Sequence, residues 1–255
     1  MGDVANADPL ATEQIELDHR LGNRSEEAGD LGNMGSSYIL IGRYKQARAV
    51  IEQSRTINQA LGARRILAYN LMTLGNVYLH TGDLKKSRQH WEQGLQTIIP
   101  TRDARGKAYL VDGIGRALLM MGDASGASRR FAEAHQLAVD QKLVAQVCET
   151  AAGLAACAVQ LGQLDEASKY IHEAWDHLKA NGLKGLIYPG MVYRACVDVF
   201  DALGEVDNVQ AVLESGHQAL MEVADKINVP AWRQSFLENV PDHRAIMELW
   251  ERRKL

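Results

Sequence analysis

Apolar residues recur three and four positions apart over most of the chain, the spacing of one face of an α-helix. Leu31, Met34, Tyr38 and Ile41 form one such stripe, and Leu71, Leu74 and Tyr78 form another. Each stripe runs into a glycine and resumes just beyond it. After Gly42 come Tyr44, Ala47, Val50, Ile51, Ile57 and Leu61; after Gly82 come Leu84, Trp91, Leu95 and Ile98. A glycine at that point suits the left-handed residue that ends a helix. The pattern predicts a helix, a tight turn and a second helix.

The whole pattern then repeats. The stretch 71–87 matches 31–47, 111–127 and 151–167, each displaced by forty positions or a multiple of forty. The turn glycines stand at 42, 82, 122, 162 and 204, and the first four share one spacing although Gly fills only 22 of 255 positions. Internal repetition of this regularity decides the architecture before any local feature does. Four units are expected at about 22–61, 62–101, 102–141 and 142–181, with a less regular fifth reaching about 225 after a connection rich in Gly and Pro at 182–190. Residues 1–21 align with the second half of a unit, which puts Gly2 opposite Gly42, Pro9 in the first turn of a lone helix, and Leu10, Ile15 and Leu21 on its apolar side. Such a helix either contacts a partner or belonged to a longer chain. The 226–255 tail, with Pro230, Trp232, Phe236, Pro241 and a last amphipathic turn through Ile246, Leu249 and Trp250, is expected to cap the array.

Within each unit a small residue in the first helix (Gly35, Gly75, Gly115, Ala155) precedes a large one in the second (Ile51, Trp91, Phe131, Ile171) by sixteen positions. This pairing, with Tyr38 or Tyr78 three after the glycine and Ala47, Ala127 or Ala167 at the twelfth position, resembles the tetratricopeptide repeat. The units are longer than the usual ~34 residues, like the extended repeats of kinesin light chains and of the family that binds G-protein regulators. The resemblance implies an all-α solenoid, a right-handed superhelix of antiparallel helix pairs. The segment 231–246 is similar to the closing segment of large bacterial signal-transduction ATPases and cyclases. That likeness implies the sensor or interaction arm of such a system, without its ATPase.

Composition adds little but excludes much. Apolar residues make up 46 % and charged residues 24 %, and the formal charge is −4, too mild to imply nucleic acid or an anionic membrane as partner. Cys148, Cys157 and Cys196 are an odd number without a C-x-x-C pair, which predicts reduced, buried thiols and a cytoplasmic protein. No apolar run reaches the ~18 residues of a membrane span. No phosphate-loop motif is present. His172 and His177 imitate a zinc-protease motif but stand five apart, so on a helix they diverge by about 140°. No catalytic residue, metal site or cofactor is expected.

What remains is the trough that stacked helix pairs leave on the side of their first helices. By register the residues facing it are Asn33 and Ser36 in the first unit, Arg65, Tyr69, Thr73, Asn76 and His80 in the second, and Arg105, Tyr109, Asp112 and Arg116 in the third. Arg65 and Tyr69 recur as Arg105 and Tyr109 one unit later. Three arginines could pair acidic groups through charge-assisted bonds, and the resemblance implies that asparagines of the Asn33 and Asn76 type hold peptide backbone. Thr73, Gly113 and Gly153 replace that Asn in later units, so such a ladder is incomplete. The expected partner is a protein or an extended, acidic peptide. Two alternatives stay open: a small-ligand sensor arm that regulates an ATPase, cyclase or transcription activator, and self-association through the N-terminal helix. The same arginines could instead pair with Asp112, Glu149 or Glu26 on neighbouring helices.

Overall fold

The structure is a computed structural model. It describes residues 4–253, with side chains from Leu10 onward. Gly2 lies outside the described residues. Among them every regular element is helical. α1 (Val4–Leu21) leads. Four hairpins follow: α2 (Arg24–Leu40) with α3 (Tyr44–Ala60), α4 (Arg64–His80) with α5 (Leu84–Ile98), α6 (Ala104–Met120) with α7 (Ala124–Asp140), and α8 (Val144–Gln160) with α9 (Leu164–Asn181). A fifth pair, α10 (Pro189–Leu203) and α11 (Val206–Ala224), precedes the tail helices α12 (Pro230–Glu238) and α13 (Pro241–Arg253).

The forty-residue stride is written into the backbone at both ends of each hairpin. Gly42, Gly82, Gly122, Gly162 and Gly204 all have φ between 72° and 84°. At each, the next residue's N–H returns to a carbonyl five positions back: Arg43 to Tyr38, Asp83 to Tyr78, Asp123 to Leu118, Gln163 to Ala158 and Glu205 to Phe200, at 2.8–2.9 Å. That bond satisfies an otherwise orphaned carbonyl at the helix end. Asp83 and Asp123 then cap the following helix, accepting from the N–H of Lys86 and Gly126 at 3.1 and 2.8 Å. The junctions between hairpins also take positive φ at positions 22, 62, 102, 142 and 182, with the same five-back bond after 22, 62 and 142. Three of these are glycine, but Arg102 (φ 58°) and Lys142 (φ 56°) hold the left-handed conformation with a side chain attached.

Inside the first three hairpins the sixteen-residue pair is in direct contact. A Cβ on Gly35 would stand 2.4 Å from the Ile51 side chain, and one on Gly75 would stand 2.6 Å from Trp91. For Gly115 and Phe131 the distance is 3.1 Å, and Phe131 also lies against Gly153 of the next hairpin. The large side chain fills the space that a first-helix Cβ would take, and Ile51, Trp91, Phe131 and Ile171 are all fully buried. Trp91 keeps its indole N–H satisfied by donating to the Met72 carbonyl at 3.1 Å.

The chain groups into two compact lobes. Among the described residues the first comprises those up to 106 with 222–241, the second 107–221 with those from 242 on. In the first, Ser54 Oγ donates to the Ala28 carbonyl at 2.6 Å, Asn70 Nδ2 donates to Ser54 Oγ at 3.0 Å, and Asn58 Nδ2 donates to Asn70 Oδ1 at 3.1 Å. This buried polar chain ties three successive helices. Ile15 of α1 packs on Ala28, Leu31 and Ile57. The reading of α1 needs two corrections. The helix starts at Val4, so Pro9 lies inside it rather than in its first turn; a proline there forfeits one backbone hydrogen bond, to the Ala5 carbonyl. Its apolar side is also split, because Leu10 and Leu21 stay 68 % and 64 % exposed while Ile15 faces inward.

The tail divides between the lobes. In the first, α12 lies on the α2–α3 turn. Trp232 meets Tyr38 edge-on at 6.4 Å, the Arg43 guanidinium sits 4.7 Å from the Trp232 ring, and Gly42 comes so close to Ser235 and Asn239 that a Cβ would stand under 3 Å from both. In the second, His243 of α13 packs against Gly190, and Trp250 stacks on His217 at 4.7 Å.

The left-handed junctions give a clean test, because space is open around Gly82 and backbone conformation alone decides the outcome. Gly82→Ala should lower stability by about 1 kcal/mol. Lys142→Gly should raise it by about 0.5–1 kcal/mol, the released strain outweighing the added freedom of the unfolded chain. Urea midpoints of the two variants read both changes.

Candidate functional site

The candidate residues belong to the first helices of the hairpins, and the two lobes treat them differently. In the first lobe Asn33 and Ser36 are exposed on α2, with Ser36 Oγ donating to the Gly32 carbonyl one turn back at 3.0 Å. On α4 the positions 69, 73, 76 and 80 follow one another at spacings of four, three and four, so they form one stripe. Arg65 is exposed just before it.

Tyr69 is half-buried, and its hydroxyl donates to Asp103 Oδ2 at 3.1 Å. Burial, then the charge of Asp103, pushes that phenol up to about 12. Asp103 is a residue that sequence reasoning passed over. Its other oxygen accepts the Gly106 N–H at 2.8 Å, so it caps α6 while it fixes Tyr69. The signal was available, an Asp standing just before a helix, but its reach back to the preceding first helix is a tertiary fact. Arg105 is exposed, and its charge, like that of Arg65, acts on Tyr69. The fold thus gathers Arg65, Tyr69 and Arg105 around one fixed phenol.

Further along the stripe, the Thr73 hydroxyl is spent on the Tyr69 carbonyl at 2.9 Å. His80 stacks on Tyr44, centroids 5.2 Å apart and planes 14° from parallel. Asn76 differs from its neighbours. It is only 5 % exposed, and its Oδ1 accepts no hydrogen bond. A buried acceptor left without a donor costs roughly 1–3 kcal/mol.

In the second lobe the same register is closed over. Tyr109, Asp112 and Arg116 are 8 %, 0 % and 6 % exposed. Arg116 Nη2 forms an ion pair with Asp112 Oδ2 at 2.8 Å, and its guanidinium lies 3.7 Å from the centroid of the Tyr188 ring. Beside them stands Glu149 of α8, forty positions after Tyr109, whose Oε1 accepts the backbone N–H of both Ile187 and Tyr188 at 2.6 and 2.8 Å. The 182–188 connection therefore lies as a strap over this face. Arg116 does pair with Asp112, but one turn away within α6 rather than from a neighbouring helix, as the sequence alternative had it.

Burial, and secondarily the charge of Asp112, pushes Glu149 up to about 7 despite its two N–H donors and Arg116. Burial also raises Asp112, against Arg116, and raises Asp242 of α13. Elsewhere, His172 Nδ1 lies 2.8 Å from the Ser168 carbonyl and its Nε2 faces Glu205 at 3.3 Å, while His177 contacts the Asn181 amide. Cys148, Cys157 and Cys196 are free and buried, and burial pushes the Cys157 thiol up to about 12. Among the described residues no helix is long and apolar enough to cross a membrane.

Comparison with known proteins agrees with this geometry. The chain is similar to a Rap protein solved in complex with the competence and sporulation factor (TM-score 0.65, 14 % identity, 89 % of this chain and 66 % of that one). It is similar also to aspartyl phosphate phosphatase F from Bacillus subtilis (TM-score 0.67, 13 %, 91 % and 61 %). A kinesin light chain of nearly identical tetratricopeptide-like repeats from Podosopora anserina superposes at TM-score 0.55 and 14 % identity, over 78 % of this chain and 97 % of that one. The fold is tetratricopeptide-like. The chain spans less than two thirds of the length of the Rap protein and of the phosphatase. No protein-family profile matches the sequence, and no curated protein matches it either.

The buried carboxyls give this tetratricopeptide-like chain a pH signature. A carboxyl whose value is near 7 when folded and ~4.3 when unfolded holds a proton in the folded state that the unfolded chain has released. Its stabilising effect is therefore full below about pH 4.3 and is lost as pH rises towards 7. Both strap N–H groups use Oε1, so a proton on Oε2 leaves them bonded. Glu149→Gln should flatten the fall in melting temperature between pH 5 and 7.5 and gain on the order of 2 kcal/mol over the parent at the upper end. Calorimetry of both proteins across that range measures the difference.

Proposed function

We propose that this chain is a non-catalytic scaffold that binds an extended segment of another protein along the first helices of its first lobe. The observation that carries the reading is the buried Asn76 carbonyl with no donor, on the same stripe as Tyr69 and on the helix that also bears Arg65. On this reading a peptide backbone N–H partners that oxygen once the Asn76 side chain turns outward. The exposed arginines flanking Tyr69 suit acidic side chains on the same peptide, since a guanidinium binds a carboxylate through paired, charge-assisted bonds. Asn33 and Ser36 extend the polar surface on α2, which packs beside α4. Similarity to a Rap protein crystallised with the competence and sporulation factor supports a ligand-binding use of the fold. Similarity to a signal-transduction ATPase with a tetratricopeptide sensor from Pyrococcus horikoshii (TM-score 0.57, 12 % identity, 89 % of this chain and 34 % of that one) supports a sensor or interaction arm in a signalling protein. On this reading the chain works in the cytoplasm, needs no cofactor and transforms nothing.

A second reading has its own observation. Leu10, Leu17 and Leu21 are all exposed on α1, at spacings of seven and four that place them on one side of the helix. That stripe favours self-association.

Two experiments check these readings. An acidic peptide selected from a display library on the intact chain should lose at least tenfold in affinity when Arg65 and Arg105 are both changed to Glu, and several-fold when Asn76 is changed to Ala. Unchanged binding removes this face from the reading. Light scattering over a hundredfold concentration range should show association that Leu10→Lys with Leu21→Lys abolishes; a monomer throughout excludes the α1 contact.

A further inference from the structure

The second lobe carries an arrangement that the scaffold reading does not use. Glu149 stands in the register of Tyr69 and Tyr109, on the side of α8 where a ligand of the first helices would lie. It spends one carboxylate oxygen on two successive backbone N–H groups of the chain itself, those of Ile187 and Tyr188. The Tyr188 ring covers the Arg116 guanidinium at 3.7 Å, and Arg116 in turn contacts Asp112. These are the contacts of a bound peptide, main-chain donors on an acidic acceptor and one aromatic side chain on a cation, made by a segment of the same polypeptide.

The strap is built to be held at few points. It leaves α9 through Gly182 (φ 56°) and turns again at Gly185 (φ 80°). Its internal backbone bonds are long, Lys184 N to the Asn181 carbonyl at 3.3 Å and Leu186 N to the Leu183 carbonyl at 3.2 Å. Only Leu186 is fully buried. Beneath it Asp112 has Arg116 as its charge partner at 2.8 Å and takes no hydrogen bond from the strap. Asp112 therefore retains hydrogen-bonding capacity that the strap does not use.

We infer that the 182–188 strap is a displaceable internal occupant of the α6–α8 face, and that this face binds an extended segment bringing two successive backbone N–H donors and an aromatic side chain in the strap's place. The inference rests on the reading of first-helix faces as peptide-binding surfaces, but it concerns a different lobe and different residues. Binding is competitive: the external segment has to displace Tyr188 from Arg116 and take its place on Glu149.

Hydrogen exchange on the intact chain tests displaceability without any substitution. The Ile187 and Tyr188 amides should exchange at least a hundredfold faster than the central amides of α6 and α8. Exchange of all of them at one common rate shows a strap that opens only with the lobe, and overturns the inference. A labelled peptide copying residues 183–189 then tests recognition. It should bind the Tyr188→Ala chain at least tenfold more tightly than the parent, and adding Glu149→Ala should remove that gain. Equal binding to parent and Tyr188→Ala, or a gain that survives Glu149→Ala, overturns it. Carrying Arg65→Glu and Arg105→Glu through the same titration separates the two readings. The strap peptide should bind that variant as it binds the parent, whereas the first-lobe peptide should bind it at least tenfold more weakly.

Discussion

The first three hairpins share one contact, the large side chain of the second helix seated where the first helix has no Cβ. Ile51 on Gly35, Trp91 on Gly75 and Phe131 on Gly115 are versions of it. A glycine inside a helix costs about 1 kcal/mol relative to alanine, and here the cost is offset by burying a whole Ile, Trp or Phe side chain, roughly 1.5–3 kcal/mol each. The close approach also sets where the two helices cross. Because the contact recurs at the same register, the same positions of each of these first helices are left outside it. The candidate site is a consequence of that packing rule.

The two lobes diverge in what they do with these positions. In the first lobe the side chains are individually tethered to their own helix or to a cap, through Ser36 on Gly32, Thr73 on Tyr69 and Tyr69 on Asp103, and the surface between them stays open. Asn76 alone is buried without a donor for its oxygen among the sequence-selected residues of this lobe. In the second lobe the corresponding positions carry Asp112, Arg116 and Glu149, a set of charges that cannot stay buried without partners. The strap supplies them with two N–H groups and an aromatic face. Placing charge at these positions and covering them with the chain's own loop are physically one decision.

Buried carboxyls also make that decision conditional. Glu149 is held near neutrality by desolvation more than by any neighbour, so its charge state follows mild changes in surroundings. The first lobe has no counterpart on its stripe, where the raised group is a phenol that remains protonated at any ordinary pH.

The fold was legible in the amino-acid sequence because a repeat states its rule several times over. Glycines forty apart, small-then-large residues sixteen apart and apolar spacing of three and four specify helix ends, crossing points and buried faces through local chemistry alone. The exposed Arg65 and Arg105 were legible for the same reason, since register decides which way a helical side chain points. Sequence could not say that Asp103 would fix Tyr69, that α12 would lie on the α2–α3 turn with Trp232 against Tyr38, or that Arg116 would be covered by Tyr188. Those contacts join residues between 34 and about 190 positions apart, and they come from irregular segments with no periodic signal. Periodicity tells which face a side chain is on; only the path of the non-repeating chain decides what covers that face.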